Sequence, residues 1–440
     1  MSSTPPPAAP AGTQVPDEVE SPPPVTSATL AAQSEVVAGS LGEYVAAWGK
    51  RVRSGESGIL PVLAGFVVIV IVFQLQDSNF LSSGNIVNLL VQAATFVLLG
   101  MAQVFVLLLG DIDLSLGFTA AVGAVITVGL SAAPHNVPWP VAVAAGLGAT
   151  TVFGGMLGLI TTRLRLPSFV VTLAGSLFMQ GAVLYLIPKL AGASSGGTIG
   201  ITNDFLLKIV QGNMGVVTAW VLLAVVVALT AALMLYRQWR LTTSGLAAPP
   251  LGLVVAKIVV LAIAGIALVA VCNTNRGLLV PLRGVPYVVP LVLAVLVAWT
   301  FLLGRTKFGR YVYAIGGNAE AARRAGIHVN VVRCVAFMLA GLTAGIAGIV
   351  YASRLGSISA NVQGGQLVLY AVAAAVIGGT SLFGGRGKMM HALLGGVVIA
   401  TIYNGTLLIG LGDAYQYMVT ALVLLGAVTI DAIARRGRAV

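Results

Sequence analysis

The sequence predicts an all-α fold, a polytopic membrane bundle of about 10–12 helices with both termini in the cytoplasm. Three observations predict it. Hydrophobic residues fill 58% of the 440 positions and charged residues only 8%, against about 25% charged in a soluble domain. Mean hydropathy is +0.99 over the whole chain, more apolar surface than one soluble core can hide. The apolar residues also fall into long runs, each of the length at which a helix crosses about 30 Å of hydrocarbon.

Residues 1–57 stand apart from those runs. They hold eight of the nineteen prolines and six of the thirteen acids, and such a segment cannot bury enough apolar surface to offset its ordering entropy. No basic region precedes an apolar core, so it does not read as a signal peptide. It is expected to be a disordered cytoplasmic tail that ends at Lys50, Arg51 and Arg53.

A membrane domain at 58–434 follows. Its runs are 58–76, 86–109, 114–133, 139–162, 166–188, 216–236, 251–272, 286–303, 333–353, 367–380, 390–409 and 414–434. The run at 367–380 is short, and 110–117 reads as a re-entrant turn, so ten to twelve spans are expected. Placing the tail inside puts eighteen Lys and Arg on the inner side and five on the outer, with Lys257 inside a span. Positive residues collect on the cytoplasmic side, so both termini, including the basic end at 435–440, are expected there.

The net charge of +11 therefore reports topology. The cations lie in short clusters between apolar runs, without the continuous stripe of a nucleic-acid surface, and no nucleic acid is expected as a partner. Cys272 and Cys334 are too few for a disulfide scaffold or a multi-cysteine metal site. His135, His328 and His391 show no ligand spacing. Neither a catalytic constellation nor a phosphate-binding loop for ATP is present, so no cofactor, metal or covalent chemistry is expected of this chain. Glycine fills 54 positions, and pairs such as Gly154/Gly158 and Gly341/Gly345 have the spacing that lets helices pack closely in lipid.

The inner loop at 304–332 is the most informative stretch. In it, Glu320-Ala321-Ala322-Arg323-Arg324-Ala325 forms helix readily, and Gly326 sits where a C-terminal stop belongs. Glu320 in the first turn and Arg323 and Arg324 in the last complement the helix dipole. A short charged helix in the cytoplasm is an ordinary solvated element on one reading and a docking element for a soluble partner on the other.

Glu-Ala-Ala-x-x-x-Gly resembles the loop by which ABC importer permeases contact their ATP-hydrolysing subunit. Five further stretches are similar to the sugar-importing branch: Gly110 to Gly117, Leu166 to Gly175 and Val376 to Leu382, and, resembling xylose-type members in particular, Arg283 to Pro286 and Tyr313 to Asn318. Their order holds from about 58 to 434, and the chain is identified as a member of the ribose/xylose/galactose permease family, resembling xylose-type members most. The resemblance implies a permease subunit that imports a monosaccharide, such as xylose, across the bacterial plasma (inner) membrane. It further implies three partners: an ABC ATPase subunit, an extracytoplasmic sugar-binding protein and a second copy of the permease.

Within that frame Asp111, Asp113, Ser115, Gly378 and Gly379 are expected to form motif turns. Asp113 either caps the helix after it or couples motion from the ATPase side to the bundle. Polar residues inside the spans are the candidate sugar path: Gln92, Thr95, Gln103, Tyr403, Asn404 and Gln416, with Gln92 and Asn404 foremost. Amides both donate and accept, which suits sugar hydroxyls, though interhelical hydrogen bonds explain the same residues. Two alternatives compete: an ion-coupled secondary transporter, and the amino-acid or nucleoside branch of the same permease class. The seven acids after residue 57 all fall in loops or at span ends on this assignment, which speaks against proton coupling.

Overall fold

The computed structural model describes residues 60–191, 197–246, 248–277 and 281–436. The Pro-rich tail at 1–57 and the last four residues of the basic C-terminus lie outside the described residues. Among the described residues fifteen helices run in order α1 (Leu60–Gln76), α2 (Ser83–Leu107), α3 (Leu116–Ser131), α4 (Trp139–Arg163), α5 (Ser168–Ala191), α6 (Asp204–Gln211), α7 (Val216–Thr243), α8 (Leu251–Asn273), α9 (Val288–Arg305), α10 (Lys307–Gly317), α11 (Ala319–Arg324), α12 (Val329–Leu355), α13 (Gly364–Ile377), α14 (Met389–Leu408) and α15 (Asp413–Arg436). Two three-residue strands, β1 (Thr198–Gly200) and β2 (Ser357–Ser359), pair antiparallel with Ile199 opposite Ile358.

Eight of these helices are long and apolar enough to cross a membrane: α2, α4, α5, α7, α8, α9, α12 and α14. Shorter apolar helices stand at the other four expected runs: Val62–Gln76, Leu116–Ser131, Gly364–Ile377 and Ala414–Gly426.

α2 is the axis of the bundle. Every residue from Gln92 to Leu107 is buried, and α12, α13 and α14 pack around it, while α7 and α8 pair with each other on the periphery. The spaced glycines make the tightest of these contacts. A Cβ on Gly154 would meet the Phe337 carbonyl oxygen at 2.2 Å, and one on Gly341 would meet that of Thr150 at 2.2 Å. Close α4–α12 packing therefore requires the missing side chains.

α3 and α13 are short elements of 16 and 14 residues. After α2 the chain runs through 108–115 back into the bundle before α3 begins. After α12 and β2 it makes the same manoeuvre through 360–363 before α13 begins. The two N-termini abut, since a Cβ on Gly117 would lie 1.9 Å from the Gly364 carbonyl oxygen. Non-helical backbone at such depth is tolerated because protein covers it.

Asp113, on the stretch expected to be a re-entrant turn, lies inside the bundle at 1% exposure. The charged loop differs from expectation: two helices, α10 and α11, occupy it instead of one.

Candidate functional site

The loop helix forms as its residues dictate. Asn318 caps α11 by accepting from Glu320 N at 3.0 Å and Ala321 N at 2.9 Å. Gly326, with φ of +83°, ends the helix in the left-handed conformation glycine adopts freely. Glu320 Oε2 lies 3.3 Å from Arg323 Nη1, and Oε1 lies 3.5 Å from Arg324 Nε. These groups are exposed, while Ala322 is buried against the bundle. Beside this helix a cleft of about 720 Å³ is lined by Arg163, Arg323, Gly326, His328 and Asn330 among others.

α10 connects the loop to the bundle. Thr306 caps it through Gly309 N at 3.3 Å, and Val312 and Ile315 are buried on its inner face. Gly316 on that helix touches backbone alone: its Cβ, if present, would be 1.9 Å from Leu108 O and 2.4 Å from Gly385 N. Gly385 N donates to Leu108 O at 2.9 Å. A Cβ on Gly384 would lie 2.8 Å from Gly110 N and 3.0 Å from Gly316 O. Three chain segments thus meet through glycine backbones. Tyr313 Oη adds a hydrogen bond to Gly387 O at 2.8 Å, and burial pushes its phenol up, keeping it a donor. The charged loop is therefore clamped to both glycine-rich turns at once.

The first turn is fixed from α5 and α12. Ile112 N donates to Ser168 Oγ at 3.2 Å, and Thr172 Oγ1 donates to Ile112 O at 3.1 Å. Arg333 Nε is 2.8 Å from Asp111 Oδ2; its N–H is not aligned on that oxygen, so the contact is Coulombic. Burial pushes the Asp111 carboxyl up, and Arg333 and a hydrogen bond with Ser168 oppose that. Asp113 Oδ1 accepts from Ser115 N at 2.8 Å and Ser115 Oγ at 2.6 Å. It holds the residue that begins α3 rather than bonding directly to the N–H groups of its first turn. In the second turn Gly379 adopts φ of +110°, and a Cβ on Gly378 would meet His391 O at 1.8 Å. Sequence reasoning missed Ser168, Thr172, Arg333, Tyr313 and Gly316 as site residues. The first two recur four apart in a stretch already singled out, the spacing of one helix face, which was the available signal.

The candidate path residues separate into two groups. Gln92 and Gln103 lie on one face of α2, eleven residues apart, with Thr95 beside them. All three are at most 2% exposed, and Gln92 Oε1, Thr95 Oγ1 and both polar atoms of Gln103 lack a hydrogen-bond partner. Gln416 on α15 is also buried with its Nε2 unpaired. Asn404 is engaged: its amide exchanges hydrogen bonds of 2.8 and 2.9 Å with that of Asn85. Tyr403 contributes its ring, edge-on to Phe96 at 5.5 Å between centroids.

A helical bundle with eight helices long and apolar enough to cross a membrane, two shorter ones meeting end to end and a charged loop clamped at one end is a multi-pass membrane protein. Comparison with known proteins identifies its kind. A family model described as branched-chain amino acid transport system / permease component matches residues 85–428, and the chain belongs to that family. It is 33% identical over 389 residues to the xylose transport system permease protein of Escherichia coli K12, covering 86% of this chain and 92% of that one. Identity to the corresponding protein of Haemophilus influenzae is 32% over 387 residues, 87% and 98% of the two chains. The ribose import permease protein of E. coli K12 is 27% identical over 371 residues, 84% and 92% of the two chains. No solved structure matches. With its apolar helices, this membership makes the chain a multi-pass protein of the plasma (inner) membrane.

Proposed function

We propose that this chain is the membrane-spanning subunit of an ATP-binding-cassette importer and that its cargo is a monosaccharide, a pentose such as xylose. The observation that carries the reading is the glycine junction. A surface helix of opposed charges is joined, through backbone contacts that cannot yield by side-chain rotation, to both turns bordering the buried core. Such a joint suits a subunit driven from outside by a partner that hydrolyses ATP. In this reading Glu320, Ala321, Ala322, Arg323, Arg324 and Gly326 receive the ATPase, and the loop at 304–332 and both termini face the cytoplasm. An extracytoplasmic binding protein delivers the sugar, and two copies of the chain assemble with two ATPase subunits. The polar file on α2 supplies the hydroxyl-bonding groups of the path. The names of the xylose and ribose relatives support the cargo class.

The test is uptake by proteoliposomes holding the full chain with its candidate ATPase and binding protein, offered xylose, ribose, galactose and leucine. ATP-dependent uptake of one sugar, lost in a well-folded Glu320→Arg variant, is expected. Uptake of leucine alone would move the chain to the amino-acid branch, and uptake by the chain alone on an ion gradient would overturn the importer reading.

A further inference from the structure

Three rings from three helices converge near the middle of the bundle. Phe96, midway along α2, stands edge-on to Tyr370 of α13 at 5.2 Å and to Tyr403 of α14 at 5.5 Å, and the two tyrosine rings are 6.5 Å apart. The Arg354 guanidinium lies over the Tyr403 ring at 5.7 Å and makes no ion pair among the described residues. Gln366, in the first turn of half-helix α13, donates to the Tyr370 hydroxyl. One turn from Phe96 on the same face of α2, Gln92 keeps its Oε1 unpaired at 2% exposure.

The cluster grades from wet to dry. Arg354, Gln366 and Tyr403 are half-buried, whereas Phe96 and Tyr370 are each 3% exposed. Aromatic faces and edges receive the C–H face of a sugar ring, while a guanidinium and amides satisfy its hydroxyls. Arg354, in the last turn of α12, has no carboxylate partner among the described residues, which leaves its N–H donors open to a ligand's hydroxyls. The buried amide oxygen of Gln92 is likewise left waiting for a donor.

We infer that Phe96, Tyr370, Tyr403, Arg354, Gln366 and Gln92 form a binding station for a single neutral monosaccharide inside the permease, entered past Arg354 and Tyr403. The inference rests on the importer reading and adds to it a site, with residues that set specificity. Arg354 and Gln366 form the polar mouth, Phe96 and Tyr370 are the stacking floor, and Gln92 is the acceptor that a hydroxyl reaches last.

The test uses the full-length permease in lipid nanodiscs, titrated calorimetrically with D-xylose, D-ribose and D-galactose in the absence of any binding protein. Wild type is expected to bind at least one of them. Arg354→Gln and Phe96→Leu are each expected to weaken that binding about tenfold, the size of one lost stacking or charge-assisted contact, and the half-buried Arg354→Gln is expected to do so with the folded protein level unchanged. Gly317→Ala, at a position with open space around it, is the variant expected to bind like wild type. The same preparations are assayed for ATP-driven uptake with the partners restored. Wild type that imports a sugar yet binds none, or variants that bind as tightly as wild type, would overturn the station and leave the importer reading standing. Absence of both binding and uptake for all three sugars would overturn both.

Discussion

Arg333, in the first turns of α12, holds its guanidinium 2.8 Å from the carboxylate of Asp111, which is 7% exposed. The pair joins the first motif turn to the helix that leaves the charged loop. Removing Arg333 alone strands a buried carboxylate, and breaking such a pair costs roughly 3 kcal/mol. Arg333→Gln should therefore lower the amount of folded permease in detergent, and Asp111→Asn with Arg333→Gln should recover most of it. A double variant no better than Arg333→Gln would show that the two side chains act independently.

The same pair predicts a pH dependence. Burial raises the Asp111 carboxyl and Arg333 lowers it, so Arg333→Gln lets it titrate higher still. A carboxyl raised on folding makes the folded state bind more protons than the unfolded one, so stability falls as pH rises through that window. The thermal midpoint of Arg333→Gln should thus drop further below wild type as pH rises above the ordinary carboxylate range, as a trend measured by light scattering on heating. Adding Asp111→Asn should remove the trend.

Gly316 and Gly317 are neighbours with opposite prospects. A Cβ on Gly316 would fall within 2 Å of the Leu108 carbonyl oxygen, whereas Gly317 has nothing within 4 Å. Gly316→Ala is expected to push α10 off the turns and reduce ATP-driven uptake about tenfold or more, the loss that a displacement of ~1 Å can cause in a positioned site. Gly317→Ala should transport normally. Equal activities in the two variants would remove the glycine junction from the coupling route.

Ser168 and Thr172 hold the backbone of Ile112 from both sides. Ser168→Ala or Thr172→Val leaves one buried backbone group without its partner, worth about 1–3 kcal/mol each. Each change should lower the thermal midpoint by a few degrees. Their combination should cost less than the sum, because the two bonds fix the same residue.

The exchange of hydrogen bonds between Asn85 and Asn404 predicts coupling of another kind. Alanine at either position should destabilise by about 1 kcal/mol, and alanine at both should add little to one. If Asn404→Ala instead abolished uptake while stability held, its amide would belong to the sugar path.

How much of this was legible in the sequence differs by level. The spans were readable because apolar length and basic spacing are local quantities, and each of the twelve expected runs coincides with a helix within a few residues, α7 excepted. That helix extends to Thr243, past Arg237 and Arg240, whose long side chains can lie along an apolar surface. The return of 110–115 into the bundle was visible only as glycine and aspartate punctuation. Its depth depends on α13 meeting α3, a contact between segments about 250 residues apart. α10 was missed although Phe308, Val312 and Ile315 repeat at helical spacing, because the charges around them dominated the reading. Arg333 was counted as a topology signal, and nothing local says that a loop cation pairs with an acid more than two hundred residues earlier.

α13 is 14 residues long, about 21 Å at 1.5 Å per residue, against roughly 30 Å of hydrocarbon. Protein-covered backbone carries the chain over the rest of the depth. Along this line roughly a third of the depth is crossed by non-helical backbone, whose peptide groups find partners only in the surrounding protein, so a shift of α3 against α13 would strand them where lipid offers no replacement.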